Sequence, residues 1–124
     1  MEFSRQLVMK GIHLIADFQG VKNVDALKNL EVLQDIQRGV AKECKLTVVG
    51  ESGVQFKPHG ATSVLVLSES HFSIHTWWEE AQAHADIFCC NDKFDARVAV
   101  MMLKTQLDAE TANWCVIDRP LKNG

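Results

Sequence analysis

The spacing of apolar and polar positions changes several times along the chain, and each change marks an element. Leu7–Phe18 is rich in β-forming residues and closes at Gly20, which predicts a first strand followed by a turn at Gly20–Asn23. From Val24 to Cys44 the period becomes helical, with Leu27, Leu30, Leu33, Ile36 and Val40 recurring every three or four residues and Asn23 or Asp25 available as a cap. The segment reads as a helix despite Gly39, whose cost of about 1 kcal/mol relative to alanine is one that a tertiary contact could offset. Lys45–Val49 and Gly53–Phe56 read as strands around the turn residues Gly50–Gly53, and Lys57–Gly60 forms another break. Ala61–Ser68 carries the uninterrupted run Val64-Leu65-Val66-Leu67, which predicts a central strand covered on both faces.

His71–Trp78 alternates instead. His71, Ser73, His75 and Trp77 share one parity and Phe72, Ile74, Thr76 and Trp78 the other, so a strand here presents both histidines on one polar face. Ala83–Cys90 is a further strand, Phe94–Leu107 a second amphipathic helix, and Trp114–Asp118 a last strand before Pro120. The order βαβββ(β)αβ predicts an α+β fold: a two-layer α/β sandwich with a mainly antiparallel sheet and two helices packed on one face. The 124 residues fit a single domain over 1–124.

Composition narrows the functional classes. With 47% hydrophobic and 23% charged residues and a formal net charge of −3, the chain lies in the ordinary globular range. Its scattered Lys and Arg form no basic stripe, which argues against a nucleic-acid partner. Lys10, Gly11 and His13 interrupt the apolar N-terminal stretch before it reaches the length of a signal core or membrane span, so no membrane association and a cytoplasmic location are expected. Cys44, Cys89, Cys90 and Cys115 include no CxxC pair, and neither a disulfide framework nor a zinc knuckle is expected. His59, His71, His75 and His84 lack the spacing of a metal site, and none is predicted.

The chemistry concentrates in Ser68-Glu69-Ser70-His71-Phe72-Ser73-Ile74-His75-Thr76-Trp77, where an apolar strand runs into three serines, a carboxylate and two histidines. Burying such groups unpaired costs a few kcal/mol each. From composition alone, a polar strand end with solvated side chains is the favoured reading over a site. The run SESHFSIHTW, with Phe56-x-Pro58-x-Gly60 upstream and Asp86-Ile87-Phe88-Cys89-Cys90 downstream, resembles the prokaryotic S-adenosylmethionine decarboxylase family. The matching order extends from about Gly11 to Cys90, and the C-terminal helix and strand agree in type.

The resemblance implies a self-processing enzyme that carries a pyruvoyl group as its cofactor. Ser70 attacks the carbonyl of Glu69, a base removes the Ser70 α-proton, and elimination followed by loss of ammonia leaves the pyruvoyl cap on residues 70–124, separate from 1–69. His75 is the implied base, since imidazole ionises near neutral pH. A small hydroxyl residue assists, and Thr62 holds that position where serine is more usual. The ketone then forms a Schiff base with the substrate amino group and accepts the electrons released with carbon dioxide. Cys90 is the implied proton donor, whereas Cys89, of opposite parity, is a core residue. Phe56 matches the ring that stacks on adenine and Glu79 the carboxylate that grips the ribose. Phe56 as a core residue and Glu79 as a solvated carboxylate are the competing readings. Phe72 and Trp77 are expected to be structural.

Three positions depart from the family pattern. Trp78 stands in place of a usual proline, Asn91 in place of a glycine after the cysteine, and Val54 in place of a frequent histidine. They bear on substrate choice: S-adenosylmethionine for polyamine synthesis is the first reading, L-ornithine or L-arginine the second, and an unprocessed, non-catalytic binding or regulatory subunit the third. A homodimer of cleaved protomers, with residues of both near each pocket, is also implied. Extended backbone between Ser70 and His75 spans roughly 16 Å, so a bend at Glu69–His71, with local strain, is expected to return Ser70 to His75.

Overall fold

The computed structural model describes residues 10–120. One six-stranded antiparallel sheet organises the chain. Its strands are β1 (Lys10–Gln19), β2 (Val48–Gln55), β3 (Ala61–Leu67), β4 (Ser70–Trp77), β5 (Gln82–Cys89) and β6 (Thr111–Pro120), in the order β2-β3-β4-β5-β1-β6. The helices are α1 (Val24–Lys28), α2 (Leu30–Glu43) and α3 (Ala96–Leu107). Of the predicted first strand, Leu7 to Met9 lie outside the described residues.

Alternation decides which face is covered. Leu14, Ala16 and Phe18 of β1, Leu65 and Leu67 of β3, Phe72 and Ile74 of β4, and Ala83, Ala85, Ile87 and Cys89 of β5 are buried toward the helices. In α2 the buried residues Leu33, Ile36, Gln37, Val40 and Ala41 follow the i, i+3, i+4, i+7, i+8 pattern of one helical face. That face lies on β2 and β3, and α3 covers β1 and β6. Asp95 caps α3 by accepting from the Arg97 and Val98 N–H groups. The two-layer α+β sandwich expected from the element order is the observed one, with the short α1 added to the two long helices.

Several local expectations give way to long-range contacts. The helix predicted over Val24–Cys44 breaks at Asn29, which takes an extended conformation (φ −119°, ψ 121°). Gln55 explains the break: its side-chain amide donates to the Lys28 carbonyl at 2.7 Å and accepts from Leu30 N–H at 2.7 Å, while Gly60 N–H also donates to Lys28. The helix runs through Gly39 with open space where a Cβ would stand. The two short strands predicted at 45–49 and 53–56 are one strand, β2, with a register irregularity between Val48 and Gly50 that absorbs the glycine.

Strand β3 is covered on one face within the chain, not two. Val66 points to the open side of the sheet and is 48% exposed. The predicted bend at Glu69–His71 is also absent as a fold-back of the strand. From Ser70 to Trp77, β4 is paired without interruption to β5, and from Ser70 to His75 to β3 as well. Two ladders and the buried Phe72, Ile74 and Thr76 hold it straight. No helix among the described residues is long and apolar enough to cross a membrane.

Candidate active site

The β3–β4 hairpin turns at Ser68–Glu69, with Leu67 paired to Ser70. Thr47 ties the turn down: its carbonyl accepts from Ser68 N–H at 2.9 Å, and its own N–H donates to the Glu69 carboxylate at 2.9 Å. Ser70 has φ +149°, a conformation L-residues rarely adopt, so the strain expected near the turn is located on Ser70 itself. The Glu69 carbonyl accepts from the Cys90 N–H at 3.1 Å, and the Ser70 hydroxyl lies 3.7 Å from the Cys90 thiol. A carbonyl already accepting a fixed N–H, next to a strained hydroxyl-bearing residue, suits attack at that carbonyl.

The two adjacent cysteines separate by strand parity. Cys89 is fully buried, and burial pushes its thiol up to about 11, which keeps it protonated and inert. Cys90 sits at the end of β5 beside Ser70 and is partly exposed. Asn91 closes the turn after it, accepting from Lys93 N–H on its side chain and from Phe94 N–H on its carbonyl.

A second cluster gathers at the other end of β4. His75 pairs with Thr62 across the β3–β4 ladder, and His75 Nδ1 is 3.0 Å from the Thr62 hydroxyl. Both line a cavity of about 420 Å³ whose walls also include Phe56, Trp77, Trp78 and Glu79. Phe56 is 48% exposed, so it is not a core residue. Its loop is closed by the Phe56 N–H donating to the Gly60 carbonyl, and Gly60 has φ +112°, a conformation that glycine adopts without strain. Trp77 donates from its indole N–H to His84 Nδ1 at 3.2 Å. Glu79 is exposed on the 3-10 turn Trp78–Glu80.

The sequence-predicted residues therefore fall into two groups: Glu69, Ser70 and Cys90 at one end of β4, and Phe56, Thr62, His75 and Glu79 at the other. Five residues of straight strand, roughly 16 Å, keep His75 away from Ser70 within one chain. A sequence profile described as S-adenosylmethionine decarboxylase matches residues 12–120. The chain belongs to the S-adenosylmethionine decarboxylase family. It is 38% identical over 109 residues to the S-adenosylmethionine decarboxylase proenzyme of Aquifex aeolicus, an alignment that covers 88% of this chain and 80% of that one. The proenzyme of the same name from Archaeoglobus fulgidus is 37% identical over 109 residues, covering 88% of this chain and 96% of the relative. A crystal structure of the adenosylmethionine decarboxylase from Aquifex aeolicus superposes with a TM-score of 0.83 at 34% identity, over 94% of this chain and 96% of that one.

Within the family frame, two features were not found from the sequence. The first surrounds Trp78: its indole is met edge-on by His59 at 4.9 Å between ring centroids, and Lys28 Nζ lies 5.2 Å from its centre. This departure from the usual proline is packed between cationic and imidazole groups rather than projecting freely. The second is a network on the open sheet face, where one oxygen of Asp86 meets both His13 Nε2 and His71 Nε2 at 2.7 Å and the other accepts from Ser73. Burial pushes the Asp86 carboxyl up, but hydrogen bonds from Ser73, His13 and His71 outweigh it and hold the group below the ordinary carboxylate range. Sequence spacing does not group His13 with these residues, and only the pairing of β1 with β5 brings it there.

Proposed function

We propose that this chain is a self-processing S-adenosylmethionine decarboxylase, a proenzyme that breaks its own Glu69–Ser70 bond and works with the pyruvoyl group left on Ser70. The observation that carries the reading is the junction itself: a strained Ser70 beside a Glu69 carbonyl that already accepts the Cys90 N–H. The names of the relatives, each a proenzyme, support it. The residues present fit a pyruvoyl group, since Ser70 opens β4 with its hydroxyl directed at the Cys90 thiol, where a proton donor to substrate carbon is needed. Once in place, that group supplies the electron-accepting carbonyl for loss of carbon dioxide.

Placement supports the remaining roles. Thr62 orients His75 through the 3.0 Å contact, and His75 acts as the base that removes the Ser70 α-proton. Phe56 offers a face for stacking a purine, and Glu79 a carboxylate for ribose hydroxyls, on the wall of the same cavity. A nucleoside substrate uses that ring, whereas ornithine and arginine have no aromatic part to place on it, which favours S-adenosylmethionine and a product that donates aminopropyl groups for polyamine synthesis.

The 16 Å gap is closed by a second copy. A homodimer in which each chain brings Thr62–His75 to the Ser70–Cys90 junction of its partner reconciles the two clusters with one reaction. The open sheet face supports such pairing, because Ile15, Val54, Val66, Trp77 and Ile117 all project from it and are exposed. It also restores the second cover expected for β3. A cytoplasmic setting agrees with four unpaired cysteines among the described residues.

Intact-mass analysis of purified wild type beside Ser70→Ala tests the processing. Wild type is expected as fragments 1–69 and 70–124, and the variant as one chain. An uncleaved wild type overturns the enzyme reading and leaves the non-catalytic subunit. Release of carbon dioxide from carboxyl-labelled S-adenosylmethionine, ornithine and arginine then assigns the substrate, and turnover of an amino acid alone refutes the stacking role of Phe56.

A further inference from the structure

On the open face of the sheet, three adjacent strands place three metal-ligating side chains together. His13 of β1 and His71 of β4 flank Phe88 of β5, to which both are paired, and Asp86 lies two residues earlier on the same face of β5. The two imidazole Nε2 atoms and the Asp86 oxygen lie within 4.8 Å of one another, and no residue comes from a mobile connection. We propose that His13, His71 and Asp86 bind one divalent transition-metal ion of the zinc or cobalt class, through residues that belong to neither cluster of the proposed active site.

Geometry supports the assignment. Tetrahedral zinc with ligands at about 2.0–2.1 Å needs ligand atoms roughly 3.4 Å apart. Each imidazole is now 2.7 Å from the carboxylate oxygen, so the contacts must open by roughly 0.7 Å, within reach of side-chain rotation. Both histidines meet the same oxygen of Asp86 and leave the other to Ser73, whose hydroxyl therefore fixes the carboxylate plane as an outer partner of a metal ligand does. In the single chain His71 keeps 40% of its side chain exposed, which leaves space beside the cluster for a completing water. Two imidazoles and one carboxylate select zinc, cobalt or nickel over magnesium, which takes oxygen ligands.

Arg119 opposes the ion and offers a second handle. Its Nη1 is 3.4 Å from His13 Nδ1, and its guanidinium lies over the Phe88 ring. Because guanidinium only donates, this contact holds His13 with the proton on Nε2, the atom an ion must take. Removing Arg119 therefore both withdraws a nearby positive charge and frees the tautomer that binds metal.

The test is equilibrium dialysis of purified, native protein against cobalt(II) and zinc(II) chloride, with bound metal counted by mass spectrometry and cobalt coordination read from its visible absorption. One ion per chain is expected, insensitive to millimolar magnesium. His13→Gln and Asp86→Asn should each weaken binding at least about tenfold, the usual scale for loss around a metal ligand. His84→Gln, on the same face but outside the cluster, should leave it unchanged, and Arg119→Gln should tighten it roughly threefold. Zinc should raise the melting temperature of wild type but not of Asp86→Asn, provided that variant melts cooperatively. Should it fail to fold, the His13→Gln and Arg119→Gln pair decides. The proposal is overturned by absence of stoichiometric binding, by binding that survives His13→Gln, or by binding that vanishes when exposed thiols are alkylated, which would place the ion on cysteines.

Discussion

Co-expressing a Ser70→Ala chain with a His75→Ala chain separates cleavage within one chain from cleavage across two. Strand β4 rises about 3.3 Å per residue, so five residues put His75 roughly 16 Å from Ser70, whereas proton transfer needs about 2.6–3.2 Å. The ladders on both sides of β4 leave no slack to shorten that span. Alone, Ser70→Ala lacks the nucleophile, and His75→Ala lacks the base and should cleave on the order of 10²–10⁴-fold more slowly. Mixed in equal amounts with random pairing, about half of symmetric dimers contain one chain of each kind. In those pairs the intact Ser70 of the His75→Ala chain faces the intact His75 of its partner. About half of the His75→Ala chains should then be cut and the Ser70→Ala chains should stay whole, which intact masses of differently tagged chains read directly. Mixed dimers isolated through both tags in which the His75→Ala chain remains uncut would refute the two-copy reasoning. So would wild-type cleavage by His75→Ala alone.

Other substitutions probe smaller terms. Thr62→Ala should slow self-cleavage by removing the hydroxyl that orients His75, with Thr62→Ser retaining it, as followed by the rate of fragment appearance. Its neighbour Ser63 points into the core with no hydrogen-bond partner among the described residues, so Ser63→Ala should be neutral or stabilising in urea denaturation and leave cleavage unchanged. Gly39→Ala should stabilise the fold by up to about 1 kcal/mol, because the position is helical, exposed and clear of neighbours. The lowered Asp86 carboxyl makes a stability contribution that is complete above the unfolded carboxylate value and lost as pH falls through the lower folded value. The stability gap between wild type and Asp86→Asn should therefore be present above the ordinary carboxylate range and shrink as pH falls below it, and a gap that persists undiminished at still lower pH would refute the assignment.

What the amino-acid order settled alone was local and periodic. Alternation in 71–77 sorted Phe72, Ile74 and Thr76 inward from His71, Ser73 and His75, and the same parity separated Cys89 from Cys90. The two long helices and the sandwich class were legible for the same reason: the elements that compose them depend on residues within a few positions of one another. Tertiary structure decided whatever joins distant segments. Gln55 and Gly60 broke the helix at Asn29, two ladders kept β4 straight, and Cys90 reached the Glu69 carbonyl across the β4–β5 edge. His13 met Asp86 across 73 residues of sequence. A side chain's parity is set by its own strand, but its neighbours are set by register between strands, and register is fixed only when the whole buried face packs.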